Sequence, residues 1–206
     1  YIMQAFGYQH GIVVQTGAQW KTIQELIAYA KNNPGKLRMG VLGVGSGHHL
    51  AAERLAVKAG VKFNIVPFGD SVTALTNLLG GHVDAACSAS TFIPYVESGQ
   101  MRILAVAGGA EKRIPQYPDV PTLMETYGFG MPSFPAVGGP KGIPAPIVEI
   151  LHQAFKKAMA DPEFVKTNEK FATPLVYRNP EETTKYVQDF FAELGPVVKQ
   201  LGLRKE

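Results

Sequence analysis

The sequence predicts an α/β fold followed by a helical C-terminal part, and three observations carry that expectation. Short apolar runs alternate with amphipathic helical patterns as far as Ala107, the sign of βαβ units around a parallel sheet. Residues 115–146 are then crowded with proline and glycine, which breaks the alternation. Beyond them the apolar residues recur at helical spacing, with one weak strand pattern among them.

Taken in order, "GIVVQ" (Gly11 to Gln15) reads as a short strand. "TIQELIAYA" places Ile23, Leu26, Ile27 and Ala30 on one helical face. Thr22 and Glu25 have the spacing of a capping box, and "NNPGK" stops that helix. "KLRMGVL" is the next strand; a glycine-rich loop and a helix from about Gly47 to Ala59 follow, closed by Gly60 in the left-handed conformation. "VKFNIVPF" is a strand, Ser71 to Leu79 a helix ended by two glycines, and "HVDAACSAS" another strand. "FIPYVESGQ" reads as a short helix and "MRILAVA" as a buried strand. Within the proline-rich stretch one short helix begins near Thr122. Ile147, Ile150, Leu151, Ala154, Phe155 and Ala158 then make an apolar helical stripe. Asp161–Pro162 and Asn179–Pro180 are N-cap and first-turn pairs for two more helices. The second of these carries Val187, Phe190, Phe191, Leu194 and Val198 on one face. "TPLVYR" is a weak strand. This tail has no evident core of its own, so it either covers the α/β unit or lacks its partner.

Composition narrows the function classes. With 46% apolar residues, a sizeable core forms and disorder is not expected. A net charge of +3 and a densest basic cluster of only "FKKAM" at Lys156 and Lys157 argue against nucleic acid as a partner. No apolar run approaches the roughly 18 residues of a membrane-spanning helix. The N-terminal "YIMQAFGYQH" shows no signal-peptide pattern and reads like the middle of a protein. Cys87 is the single cysteine, which excludes an internal disulfide and a cysteine zinc cage and leaves the compartment open.

The chemistry concentrates in "MGVLGVGSGHHLAAERLA". A strand ending at Leu42, a glycine turn and a helix starting near Ser46 leave backbone N–H groups pointing outward at the positive end of a helix dipole, which suits an anion. Ser46 offers a hydroxyl donor. The alternative is a plain strand–helix turn. No P-loop lysine follows, and neither the dinucleotide spacing nor its acidic residue about 20 positions on is present, so no nucleotide cofactor is expected. His48 and His49 point about 100° apart on a helix and share no metal easily; His10, His82 and His152 lie far off in sequence. One imidazole is expected to line a cleft while the other packs or is solvated, with no metal and no catalytic role. "PFGD" (Pro67 to Asp70) and "CSAS" (Cys87 to Ser90) leave other strand ends on the same edge, where open α/β sheets bind ligands. There Phe68 offers an apolar wall and Gly69 a backbone N–H. Asp70 reads first as the N-cap of its own helix, while Ser88 and Ser90 are hydroxyl donors.

With these residues in view, the chain resembles the solute receptors of tripartite tricarboxylate transporters, the Bug proteins. The signatures are "GVGSGHHLAAE", "LLGGHVD" and "PDVPTLME", supported by "LIAYAKNNPGKLRMG" before them and "GIPAPIVEILHQAFKKAMADPEF" after. The resemblance implies an α/β, type II periplasmic-binding-protein-like fold with one complete lobe and the helical C-terminal part of an incomplete first lobe. By that resemblance residues 1–14 end the first lobe and its hinge, 15–131 form the second lobe, and 132–206 return to the first. It implies a periplasmic receptor for a small carboxylate, with transporter subunits in the membrane as partner, no cofactor and no reaction. Gly45, Ser46, Gly47 and His48 would form half of a carboxylate clamp, with Phe68, Gly69 and Ser88 beside it and Phe134 touching ligand. Hinge crossings would fall near Val13 to Thr16 and Pro132 to Val137. Two departures stand out. Family members carry roughly 90 further residues, about a small lobe, ahead of the position of Tyr1. "VPFGD" also lacks the basic residue usual there. Two alternatives follow from the residues themselves: a small α/β enzyme using His48 or His49 on an anionic substrate, and a truncated chain that self-associates.

Overall fold

The computed structural model describes residues 1–107, 113–131, 135–200 and 202. The chain divides into two compact units, Gln9–Met131 on one hand and Tyr1–Tyr8 with Pro132–Glu206 on the other.

The larger unit is built on a five-stranded sheet. Its strands are β2 (His10–Gln15), β3 (Arg38–Leu42), β4 (Asn64–Phe68), β5 (Ala85–Ala89) and β6 (Met101–Val106), in the order β4-β3-β5-β2-β6. β3 runs parallel to β4 and β5, each step being carried by a helix: α2 (Gly47–Ala59) after β3 and α3 (Ser71–Leu79) after β4. The parallel units expected from the alternation are present at β3, β4 and β5, while β2 is antiparallel to both β5 and β6. Period and apolarity report that a segment is a strand; they carry no direction. The reversal matters, because it puts the first residue of β2, His10, opposite Ala89 at the carboxyl end of β5. The segment expected as a crossing, Val13 to Thr16, lies largely inside β2. Ile12, Val13, Val14, Met39, Val41, Ala85, Ala86 and Leu104 form the sheet's share of the core. Gly11 is required by close approach: a Cβ there would lie 2.6 Å from the buried Phe92 ring.

Helix ends follow local chemistry. Thr22 caps α1 (Ile23–Asn32) by accepting from the Glu25 N–H. The return arm of the expected box goes one residue early, to the N–H of Lys21. Thr122 and Glu125 form the full reciprocal box at α5 (Leu123–Tyr127). Gly60 ends α2 with φ +65°, its N–H capping the last carbonyls. "FIPYVESGQ" becomes a 3-10 turn at Ser90–Phe92 followed by α4 (Ile93–Glu97).

The smaller unit holds a three-stranded antiparallel sheet of β7 (Ala136–Val137), β1 (Met3–Phe6) and β8 (Leu175–Arg178), in that order. Three helices accompany it: α6 (Ala145–Ala158), α7 (Pro162–Lys170) and α8 (Pro180–Gln200). Asp161 accepts from the N–H groups of Glu163 and Phe164. Asn179 and Glu182 exchange capping bonds. Arg178 donates to Gln4 across the sheet and stacks over Tyr186. The apolar stripe of α6 is not buried as its spacing predicts: Ile150 is 68% exposed and Ile147 48%, while His152 is the helix's buried residue. α8 buries Val187 and Leu194 and leaves Phe191 out. Three short strands are too small a platform to cover both stripes.

Candidate functional site

The carboxyl ends of β3, β4 and β5 and the start of β2 bring four loops to one edge of the larger unit's sheet. At its centre the chain leaves β3 through Gly43 and Gly45, both left-handed (φ +38° and +80°), a conformation that costs an L side chain about 1–2 kcal/mol. A Cβ on Gly45 would meet nothing within 4 Å, so the loop backbone is open there.

The loop first satisfies itself. Gly43 donates its N–H to the Phe68 carbonyl at 2.9 Å. Ser46 is the N-cap of α2: its Oγ accepts from the His49 N–H and donates to the Leu42 carbonyl. Gly45 donates its N–H to His49 Nδ1 at 2.9 Å. The hydroxyl proton expected from Ser46 for a ligand is therefore turned inward, and so is the Gly45 N–H. The N–H groups of Gly47 and His48 remain; as the first two residues of the helix they have no intrahelical acceptor. They lie at the positive end of the helix dipole.

Both histidines are buried, against the expectation that one lines a cleft. His49 folds back to take the Gly45 proton, and its Nε2 lies 3.6 Å from the Glu53 carboxylate. An Nδ1 that accepts requires the neutral ring with its proton on Nε2, facing Glu53. His48 turns into the protein, where its Nε2 meets His10 Nδ1 at 3.1 Å with the rings perpendicular. Burial lowers His48 to about 4. Burial, with the His48 ring beside it, lowers His10 to about 3. This is a neutral, hydrogen-bonded imidazole pair, with His48 Nδ1 buried and unpartnered.

The neighbouring loops contribute less than their positions suggest. The Phe68 ring lies against Gly40 on the next strand. Gly69 is exposed. Asp70 caps α3, its two oxygens accepting from the Thr73 N–H and hydroxyl at 2.7 Å, and these bonds hold its carboxyl below the usual range. Ser88 is fully buried, its Oγ 3.4 Å from that of Thr91. Ser90 is buried as well. Phe134 lies outside the described residues, as do Pro132 and Ser133 of the expected second crossing. His82 is exposed beside Gly80. His152 belongs to the smaller unit, bonded to the Tyr177 hydroxyl at 2.9 Å. Among the described residues no three His, Cys, Asp or Glu side chains gather as a metal site.

His10 is the member of this cluster that sequence reasoning missed. Its partner is 38 positions away, and only the reversed direction of β2 brings them together. A hollow of about 420 Å³ lies at the opposite edge of the sheet, lined by Gln15, Trp20, Gly81 and Asp84 among others. Arg38 closes on Asp84 beside it at 2.7 Å.

Comparison with known proteins gives this edge a context. A family model described as the tripartite tricarboxylate transporter family receptor matches residues 1–203. The UPF0065 protein in the gbd 5' region of Cupriavidus necator is 39% identical over the whole chain, which spans 62% of that relative's length. A TctC solute binding protein from Polaromonas, solved with no ligand, superposes with a TM-score of 0.77 at 31% identity, covering 96% of this chain and 68% of its own. R. palustris Rpa4515, solved with adipate, gives a TM-score of 0.84 at 26% identity over 98% of this chain and 68% of its own.

Proposed function

The chain belongs to the tripartite tricarboxylate transporter receptor family, and from that membership we propose that it is the larger part of an extracytoplasmic receptor that binds a small carboxylate and delivers it to a membrane transporter. The observation that carries the reading is the glycine-opened start of α2, with the N–H groups of Gly47 and His48 free of helical acceptors at the carboxyl edge of the sheet. The adipate in R. palustris Rpa4515 supports a dicarboxylate as the ligand class.

In this reading Gly45, Ser46, Gly47 and His48 form a carboxylate cradle, with Phe68, Gly69 and Ser88 as its surroundings. Gly47 and His48 donate main-chain N–H groups to one carboxylate head, and the helix dipole adds about 0.3–1 kcal/mol. Ser46 does not touch the ligand; it fixes the cap so that the two N–H groups stay parallel. The missing side chain at Gly45 lets the carboxylate approach the backbone. The ligand lobe is the larger unit, Gln9–Met131, which holds the whole of β2, with 1–8 and 132–206 as crossing and companion segments. Such binding requires no acid, base, metal or cofactor. Neither imidazole is placed to serve as a base: His49 accepts from Gly45, and His48 is buried against His10.

The test is a thermal-shift and calorimetric panel on the intact protein, beginning with adipate and extending to other di- and tricarboxylates and aromatic acids. A ligand at 100 times its Kd stabilises by about 2.7 kcal/mol, a rise of about 5–10 °C for a chain of this size. Gly45→Val, which strains the loop and fills the open space, removes the shift. If no member of the panel raises the Tm of the wild type, the receptor reading fails.

A further inference from the structure

We propose that His10 is a positioning residue of this anion site: its hydrogen bond to His48 holds the first turn of α2 in the orientation that presents the Gly47 and His48 N–H groups. The proposal rests on the receptor reading, and three features of the larger unit support it.

The loop needs an anchor. Gly43, Gly45 and Gly47 leave it conformationally free, and the side-chain bonds of Ser46 and His49 there reach no further than four residues. The Ser46 bond ties the cap to Leu42, the last residue of its own strand β3, but none of these side-chain bonds reaches another strand. Gly43 pins the loop's start to Phe68. The His48 ring reaches β2, 38 residues away, and pins the helix's first turn.

His10 is a fixed post. It is paired in register with Ala89, and its carbonyl accepts the Ala107 N–H at 2.6 Å. Ala107 in turn accepts from the N–H of Met131, the last residue of the unit.

The pair is also a poor choice for packing alone. Two imidazoles are taken out of water and His48 Nδ1 is left without a partner, whereas an aliphatic pair of similar size would bury no polar group. A hydrogen bond supplies what aliphatic contact does not, a single preferred orientation. Nearly perpendicular rings with one N···N contact define both the tilt and the depth of His48.

The test uses the shape of the side chains. His10 engages through Nδ1, the position an asparagine amide reproduces, so His10→Asn keeps a bond to His48 and His10→Leu removes it. In the intact protein, calorimetry with adipate as probe shows His10→Leu weakened by about tenfold, equivalent to about 1.4 kcal/mol, and His10→Asn within threefold of wild type. Urea unfolding serves as the control. His10→Leu leaves His48 Nε2 buried without its partner and loses some stability. Binding is therefore measured where each variant remains folded, so that the loss of affinity is not one of folding. Amide hydrogen exchange without ligand shows faster exchange across Gly47 to Leu50 in His10→Leu only. Wild-type affinity in His10→Leu, or equal losses in both variants, overturns the proposal. If wild type binds no carboxylate, the receptor reading falls by itself; the exchange comparison still decides the positioning role, which equal protection in all three proteins would refute.

Discussion

The buried imidazole pair makes a quantitative prediction about acid. The unfolded chain titrates each histidine near 6.5, while the folded chain keeps His48 neutral to about 4 and His10 to about 3. Below pH 6.5 the unfolded state therefore binds protons that the folded state refuses, and stability falls as pH falls. The loss begins at pH 6.5 and continues until the folded rings themselves protonate. Each ring contributes about 1.4 kcal/mol per pH unit in that window. Between pH 7 and pH 5 the two together cost about 4 kcal/mol, a large share of the stability of an ordinary domain. The measurement is urea unfolding at pH 7, 6 and 5, followed by fluorescence of Trp20, the single tryptophan, which is buried in the same unit. The comparison protein is His10→Asn with His48→Gln, which retains polar side chains and removes both titrations. Groups outside the pair titrate alike in the two proteins and cancel. Wild type is expected to lose about 4 kcal/mol more than the double variant across this range. Parallel pH profiles would refute the reasoning and show that the rings are solvated or charged in the folded protein.

Three other expectations concern single sites. Gly11→Ala places a methyl 2.6 Å from the Phe92 ring and should cost about 1–3 kcal/mol by overpacking; a urea midpoint equal to wild type would show that the ring yields freely. Cys87 is fully buried and its thiol is pushed up to about 12, so a thiol reagent at pH 8 should label it only after unfolding. Prompt stoichiometric labelling of the native protein would contradict that burial. Asp70→Ala removes the cap of α3 and should destabilise by about 1 kcal/mol, read in thermal unfolding; Asp70→Asn should recover most of the loss.

What the sequence made legible was local. Gly60, Thr122, Asp161 and Asn179 each announce a helix end through chemistry that acts within four residues, and each acts there as expected. The Thr22 cap was half legible, because two backbone N–H groups compete for the Glu25 carboxylate and the nearer geometry belongs to Lys21. β1 and β7 escaped because four and two residues are too few to show a period. The direction of β2 was not legible at all. Alternation and β-branching are the same read forwards or backwards, and only pairing partners far along the chain decide between them. The His10–His48 contact inherits that blindness. The stripes on α6 and α8 carry a different lesson: Ile147, Ile150 and Phe191 have the spacing of buried residues, yet burial depends on what is opposite, and spacing does not report that.

The glycine loop shows the same limit at the scale of single protons. Sequence identifies Ser46 as a hydroxyl donor and Gly45 as an N–H without steric cover, and both attributions are chemically sound. Neither says where the proton goes. In the folded loop the Leu42 carbonyl and the His49 ring stand within hydrogen-bond reach of these donors. They accept those hydrogen bonds, which in the proposed receptor makes the two residues the frame of the site instead of its face. What the proposed receptor leaves for an anion is the pair of groups that α-helical geometry itself cannot satisfy, the N–H groups at the first two helical positions. Side chains at these positions then act indirectly, by fixing the tilt of the first turn. If the proposal holds, His10, a residue on another strand with no claim to touch a ligand, bears on the site as directly as Ser46 does.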